Sequence, residues 1–191
     1  MDDLGADLRG RADLLPTRVL LRHPSCTRVL ESIRQVRAFY PELDGISLRV
    51  GLTRSAAGFA SREEPWIWIN PRKLVRHTIA HELTHLLQNL GHVPSGEKAA
   101  DLFALARHPV LCDDVPYYLA TPRSLRDAWP AATAEISSLL HRTARESVDR
   151  RTSGERRYLV WFEQTLRLRW SERRAAALPN TDPLLVQPTL F

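Results

Sequence analysis

The sequence predicts an α+β fold in which a small antiparallel or mixed sheet precedes a series of helices. Residues 46–52 alternate apolar side chains with others, and residues 66–69 form a short apolar run, as is typical of strands. From residue 74 onward, long apolar stripes at helical spacing follow. A chain of 191 residues with 43% apolar content can bury one domain's core, which excludes collagen-like, repeat and disordered classes.

The first elements are predicted from apolar spacing. Residues 1–24 lack periodicity and are expected to form an N-terminal arm. Residues 26–40 carry apolar side chains at helical spacing and end at a proline, so they are predicted to form an amphipathic helix. The strands at 46–52 and 66–69 are expected to pair as a small antiparallel sheet.

The next helical stripe, over residues 74–90, is closed by a glycine typical of a helix C-terminus and carries the sequence HELTH at 81–85. This is an HExxH pattern. Residues four apart share one helix face, so His81 and His85 can both reach one zinc ion at about 2.0–2.1 Å. Glu82 borders the open coordination position, where it is predicted to act as the general base.

A third zinc ligand is expected on the following helix, predicted over 96–106, because a catalytic zinc usually has three protein ligands. A rise of about 1.5 Å per residue places Glu97 near the metal in an antiparallel helix pair. Asp101 lies one turn deeper, near His81, where a carboxylate can accept the spare imidazole N–H. Glu97 is the preferred third ligand; His92 and Asp101 itself remain alternatives.

The two helices together resemble the gluzincin metallopeptidases, in which a glutamate is the third zinc ligand and an aspartate four residues later braces a ligand histidine. TIAHELTH at 78–85 with EKAADLFA at 97–104 is also similar to the ImmA/IrrE-type family, whose pattern is T-x-A-H-E-x-x-H followed by E-x-x-A-N/D-x-F-A. The resemblance covers residues 46–107. The same residues are also similar to the minimal archaeal gluzincins. The resemblance implies a zincin-like fold with an active-site helix, a glutamate helix and a Zn²⁺ cofactor.

The strand predicted before the active-site helix is a candidate substrate-binding element. Its residues are Trp66, Ile67, Trp68 and Ile69. An exposed edge strand beside the zinc can hold an extended peptide by strand addition, with the tryptophans walling side-chain pockets. Packing of the tryptophans in the core is the alternative.

Further residues near the motif have two readings each. His77, one turn before the first motif histidine, is expected on the helix surface or the cleft rim, with an auxiliary metal contact as the alternative. Tyr117, Tyr118 and His108 follow the second helix and are candidate donors to the oxyanion, or else packing or surface residues.

The region after residue 130 predicts a helical extension over 131–191 that follows a catalytic region over 1–130. Apolar spacing predicts one helix over 131–148, and a capping box at 152–155 predicts the start of another. Residues 178–191 combine prolines with large apolar side chains and are expected to be extended. Packing against the core or a dimer partner is the preferred interpretation, and self-inhibition by occupancy of the cleft is the alternative.

Composition limits the partners and the compartment. The formal net charge is +5, yet only two lysines stand beside 25 arginines, which favours a solvated basic surface and leaves nucleic acid as a second choice of partner. Cys26 and Cys112 form no disulfide framework or metal knuckle. No stretch approaches the roughly 20 apolar residues of a membrane span, so a cytoplasmic protein without a membrane partner is expected. The oligomeric state is left open.

These features predict a zinc-dependent endopeptidase acting on protein or peptide substrates. The alternative is a catalytically silent zincin fold that serves as a binding or regulatory module in association with DNA. Gly91-His92 resembles the glycine-histidine pair of SprT-like proteins, which act near DNA. The intact Glu82 favours the enzyme, because a binding module has no need of a general base.

Overall fold

The computed structural model describes residues 14–129 and 134–177, and confirms the predicted α+β class. The described residues contain four strands and seven α-helices. The strands are β1 (Leu14–Pro16), β2 (Leu48–Leu52), β3 (Gly58–Ala60) and β4 (Trp66–Ile69). The helices are α1 (Arg18–Leu21), α2 (Cys26–Arg37), α3 (Arg76–Asn89), α4 (Glu97–Arg107), α5 (Arg123–Ala128), α6 (Ala134–Thr152) and α7 (Tyr158–Ala177).

The strands form one mixed sheet in the order β1-β2-β4-β3. The expected antiparallel pairing of residues 46–52 with 66–69 is wrong, because β2 and β4 are parallel, with Val50 opposite Ile67. The chain leaves β2, crosses to β3 at the outer edge and returns antiparallel as β4, which inserts between β2 and β3. The inserted return strand therefore runs in the same direction as β2.

The expected N-terminal arm is also wrong over its described part. Residues 14–16 form β1, which pairs in parallel with β2, and the Thr17 amide donates to the Val50 carbonyl at 2.9 Å. The Thr17 hydroxyl then accepts from the Leu20 amide at 3.3 Å and caps α1. A three-residue strand is too short to show period-2 alternation, so the sequence pattern could not reveal it. Residues 1–13 lie outside the described residues.

The two faces of the sheet differ in burial. Val50, Ile67 and Ile69 point to the inner face and are fully buried against α2 and α3. Trp66 and Trp68 lie on the outer face and are partly exposed. Because β4 is paired on both sides, the prediction that it is an exposed edge strand is wrong, and the edge strand that lies against α3 is β3.

Two buried hydrogen bonds fix α3 against α2. Tyr40 follows α2 in the chain. Its hydroxyl donates to the Ala80 carbonyl at 2.6 Å and also lies 3.0 Å from the Thr84 hydroxyl. Burial raises the pKa of Tyr40, so its hydroxyl remains a donor. The inner face of α3 is thereby held at a defined rotation about its axis, which sets the direction of its histidines.

The C-terminal helices pack on α4 through a second apolar cluster. Members of this cluster on α4, α6 and α7 include Leu102, Leu105, Leu139, Leu140, Phe162 and Leu166. The predicted helix over 131–148 is observed from Ala134 to Thr152, so the expected capping box at 152–155 begins inside α6. The chain instead turns at Gly154, whose φ is +97°, and α7 begins only at Tyr158.

The segment at 178–191, which is expected to pack on the core or a dimer partner or else to occupy the cleft, lies outside the described residues. Within residues 14–129 and 134–177, none of the helices combines the length and apolarity that crossing a membrane requires.

Candidate metal centre

The site is built on α3, whose two ends are anchored by distant parts of the chain. At the N-terminus, the Asp113 carboxylate accepts from the backbone amides of Arg76 and His77 at 2.9 and 2.8 Å. A carboxylate at this position also interacts favourably with the helix dipole. At the other end, the Asn89 side chain donates to the Ser61 carbonyl at 2.7 Å, just after β3. The end of the edge strand and the C-terminal end of α3 are thus joined directly.

Three side chains converge on one point between α3 and α4. Nε2 of His81 lies 3.0 Å from Nε2 of His85 and 3.1 Å from Oε2 of Glu97, and the remaining pair of atoms is 3.2 Å apart. Tetrahedral ligands about 2.05 Å from a zinc ion are separated from one another by about 3.3 Å. The triangle therefore has nearly the dimensions of one face of a zinc tetrahedron, and these three residues could hold a metal ion.

Hydrogen bonds at Nδ1 of both histidines leave the Nε2 atoms free to act as ligands. Nδ1 of His81 lies 2.8 Å from Oδ1 of Asp101, a carboxylate oxygen that can only accept. Nδ1 of His85 lies 2.8 Å from Oε1 of Gln88, whose amide nitrogen donates to the carbonyls of Pro94 and Gly96. Both Nδ1 atoms therefore donate, and each neutral imidazole presents the lone pair of Nε2 to the centre.

This set of donor atoms requires a positive charge. Two imidazole lone pairs and one carboxylate oxygen, all about 3 Å apart, repel one another unless a cation or a proton lies among them. Burial lowers the pKa of His81, but the neighbouring Asp101, Glu82 and Glu97 carboxylates together outweigh burial, and the net shift is upward. The side chain of Glu97 is half exposed, so an ion bound here would keep a side open to solvent.

Gln88 is a site residue that the motif did not reveal. Its side chain connects His85 to the loop that leads into α4, and so it couples the second histidine to the position of Glu97. The available signal was its i+3 spacing from His85, which places both on one helix face.

Glu82 lies beside the triangle on the sheet side of α3 and is 5% exposed. Burial raises the pKa of its carboxyl to about 7, partly opposed by His81 and assisted by Glu97 and Asp101. A β-carbon on Gly58 would lie 2.8 Å from Oε1 of Glu82, so only glycine lets strand β3 approach this carboxyl without displacing it. A carboxyl with a pKa near neutrality can both accept and release a proton.

Asp101 is the most heavily bonded carboxylate of the site and is 1% exposed. Its Oδ1 contacts His81 and lies 3.3 Å from Nε2 of His77, while Oδ2 accepts from the Tyr118 amide at 2.7 Å. Burial opposes its ionisation, yet the contacts with His77 and His81 outweigh burial and hold the pKa of Asp101 well below its usual range. The expectation that His77 is a surface or rim residue is wrong, because its side chain is buried against Asp101.

We expect Asp101→Ala to weaken zinc binding by roughly 10–100-fold without abolishing it, because the residue orients His81 rather than touching the ion. Competition with a chromogenic chelator measures the dissociation constant. Asp101→Asn keeps an acceptor for His81 and should lose less, and Asp149→Ala removes an exposed carboxylate on α6 as the matched control. Complete loss of zinc from a folded Asp101→Ala protein would make Asp101 a ligand, and unchanged affinity would contradict the orienting role.

A cavity of about 670 Å³ opens beside Glu82 and His81. Among its lining residues are Gly58, Val75, His77, Tyr117 and Tyr118. The ring of Tyr118 stacks on the His81 imidazole, with centroids 5.5 Å apart and planes 17° apart, whereas Tyr117 is 83% exposed. The third candidate donor to the oxyanion, His108, stacks instead on Phe39 and does not line this cavity.

His92 does not belong to the donor group formed within the described residues. It lies instead near Glu42. The structure therefore brings together His81, His85 and Glu97, with Asp101 bonded to His81 and Glu82 lining the cavity beside His81.

No protein-family model matches the chain, and no curated protein or solved structure shows significant similarity to it.

Proposed function

We propose that the protein is a zinc-dependent endopeptidase of the gluzincin type, with a zincin-like arrangement of sheet, active-site helix and glutamate helix. The observation that carries the proposal is the triangle of His81 Nε2, His85 Nε2 and Glu97 Oε2, with separations of 3.0–3.2 Å. Two imidazoles and one carboxylate suit zinc in a catalytic site that keeps an open position. Bound zinc would polarise a carbonyl and lower the pKa of a water molecule.

Glu82 is the proposed proton carrier. Its pKa of about 7 lets the carboxylate take a proton from the attacking water and, once protonated, pass that proton to the leaving amine. Its burial beside Gly58 keeps it in one place during both transfers. A catalytically silent module would have no use for a carboxyl held at this position.

Strand β3 is the proposed site for the substrate backbone, in place of the strand predicted from sequence. The amides of Asn70 and Ser61 bond across to the carbonyls of Ala57 and Trp66, so residues 57 and 61 direct their backbone groups toward β4. By the alternation of an antiparallel ladder, Gly58 and Ala60 direct theirs to the open edge. An extended peptide can add to this edge beside Glu82.

Tyr118 is the proposed donor to the developing oxyanion. Burial and the nearby Glu97 and Asp101 carboxylates raise the pKa of its hydroxyl, so the group is protonated at neutral pH and can donate. The stacking on His81 holds the ring beside the metal centre.

The deciding experiment measures metal content and hydrolysis on the same purified sample. We expect about one zinc per chain by elemental analysis, and cleavage of reduced, carboxymethylated lactalbumin that is lost after dialysis against a chelator and restored by zinc. Stoichiometric zinc with no cleavage of any unfolded substrate would favour the silent binding module. A chain that binds no zinc would overturn the proposal.

A further inference from the structure

The outer face of the sheet carries a continuous row of side chains that contact one another, which we term the aromatic row: Arg49, Trp66, Trp68 and Phe59. The Phe59 ring lies flat on Trp68, with centroids 4.3 Å apart and planes 9° apart. Trp66 contacts Trp68 at 5.3 Å, and the Arg49 guanidinium lies 4.1 Å over the Trp66 ring. The row crosses the sheet from β2 to the edge strand β3.

The backbone beneath the row is shaped to hold it. A β-carbon on Gly51 would lie 2.4 Å from Cδ1 of Trp68, so the absence of a side chain at this position lets the indole lie flat across β2. Phe59, at the end of the row, is 44% exposed although it stacks on its neighbour. The row is therefore rigid along most of its length and offers an apolar ring at the open edge of the sheet.

The row and the candidate metal centre meet at consecutive residues of β3. Gly58 faces Glu82 on the inner side of the sheet, and Phe59 points to the outer side. Neighbouring residues of a strand added to β3 would alternate in the same way. One set of substrate side chains would enter the cavity beside Glu82, and the other set would lie beside Phe59.

We propose that the aromatic row is a specificity surface that selects extended segments with an aromatic or β-branched residue on the side facing Phe59. This inference rests on the proposed peptidase function. Cross-strand neighbours on one face have Cβ atoms about 4.5–5.5 Å apart, and aromatic pairs or aromatic and β-branched pairs are the favourable combinations at that distance. A charged or small residue opposite Phe59 would leave the exposed ring uncovered, so unfolded segments rich in apolar side chains are the preferred substrates.

The test uses the zinc-loaded Glu82→Gln protein, which is expected to bind peptides without cutting them. Two fluorescein-labelled decapeptides are compared by fluorescence anisotropy. One alternates phenylalanine with serine, and the other alternates glycine with serine. We expect the phenylalanine peptide to bind more tightly than the glycine peptide. Phe59→Ala, introduced into the same protein, should reduce the ratio of the two dissociation constants by about 2- to 10-fold. Gly51→Ala, which displaces Trp68 from beneath, should reduce it as well. Leu168→Ala, which truncates an exposed leucine on α7, is the matched control and should leave it unchanged.

The outcomes separate this inference from the proposed function. An unchanged preference in a folded Phe59→Ala protein would overturn the specificity surface, even if the wild-type protein is a zinc peptidase. A preference that depends on Phe59 in a chain that binds no zinc would overturn the peptidase and support the surface as a peptide-binding site. Thermal melts of each variant establish that it is folded before binding is compared.

Discussion

Glu82→Gln is expected to bind zinc and to fold like the wild-type protein while its kcat/KM for peptide cleavage falls by about 10²–10⁴-fold. The amide has nearly the shape of the carboxyl, but it cannot accept the proton of the attacking water. The effect should fall on kcat, because the proton transfer occurs in the transition state rather than during substrate binding. Kinetics on an internally quenched peptide, together with metal analysis of the same preparation, measure both quantities.

The matched control is Glu172→Gln, which makes the same chemical change at an exposed position on α7 and should leave both values unchanged. Cleavage by Glu82→Gln at the wild-type rate would remove Glu82 from the mechanism. Loss of zinc along with activity would instead mean that the side chain supports the metal centre.

Glu97→Ala is expected to release zinc at concentrations where His92→Ala retains it. Oε2 of Glu97 lies 3.1 and 3.2 Å from the two ligand nitrogens, whereas His92 lies outside this group. The loss of affinity should exceed the roughly 10–100-fold expected for a residue that only orients a ligand. Equilibrium dialysis against buffered zinc gives the two dissociation constants.

Because Glu97 is exposed, its truncation should affect zinc affinity without affecting the stability of the fold. Its side chain is 50% exposed, so truncation leaves no buried cavity and should change the melting temperature of the metal-free protein little. If Glu97→Ala kept its zinc while His92→Ala lost it, the loop before α4 would have to rearrange on metal binding, and the ligand assignment would be wrong.

The helices that carry the site could be predicted because their signals are local. The apolar stripe over 74–90 and the HExxH spacing within it depend only on the period of the helix, and α3 is observed over Arg76–Asn89. Glu97 and Asp101 followed from the same rise per residue, together with the expectation that a short loop makes the two helices antiparallel. Both carboxylates are found in contact with His81.

The sheet was predicted less well because strand partners are not encoded by local periodicity. Strands β1 and β3 have three residues each, too few for alternation to be visible. Because β3 leaves no visible pattern, the sequence predicts Trp66–Ile69 as an edge strand antiparallel to β2, whereas β4 is central and parallel to β2. The edge that is open to strand addition is therefore β3, with Gly58 and its neighbours, and not the strand that carries the tryptophans.

The sequence by itself determined the α+β class, the helix α3 and the types of donor atom at the candidate metal centre, because these depend on composition and on spacing within one helix. Only the tertiary structure decided that His77 is buried against Asp101, that Gln88 holds His85, and that a glycine on β3 lies against Glu82. Each of these contacts depends on how side chains are directed within and between elements after packing. Such directions are fixed by burial of the whole core, and no local period of the sequence specifies them.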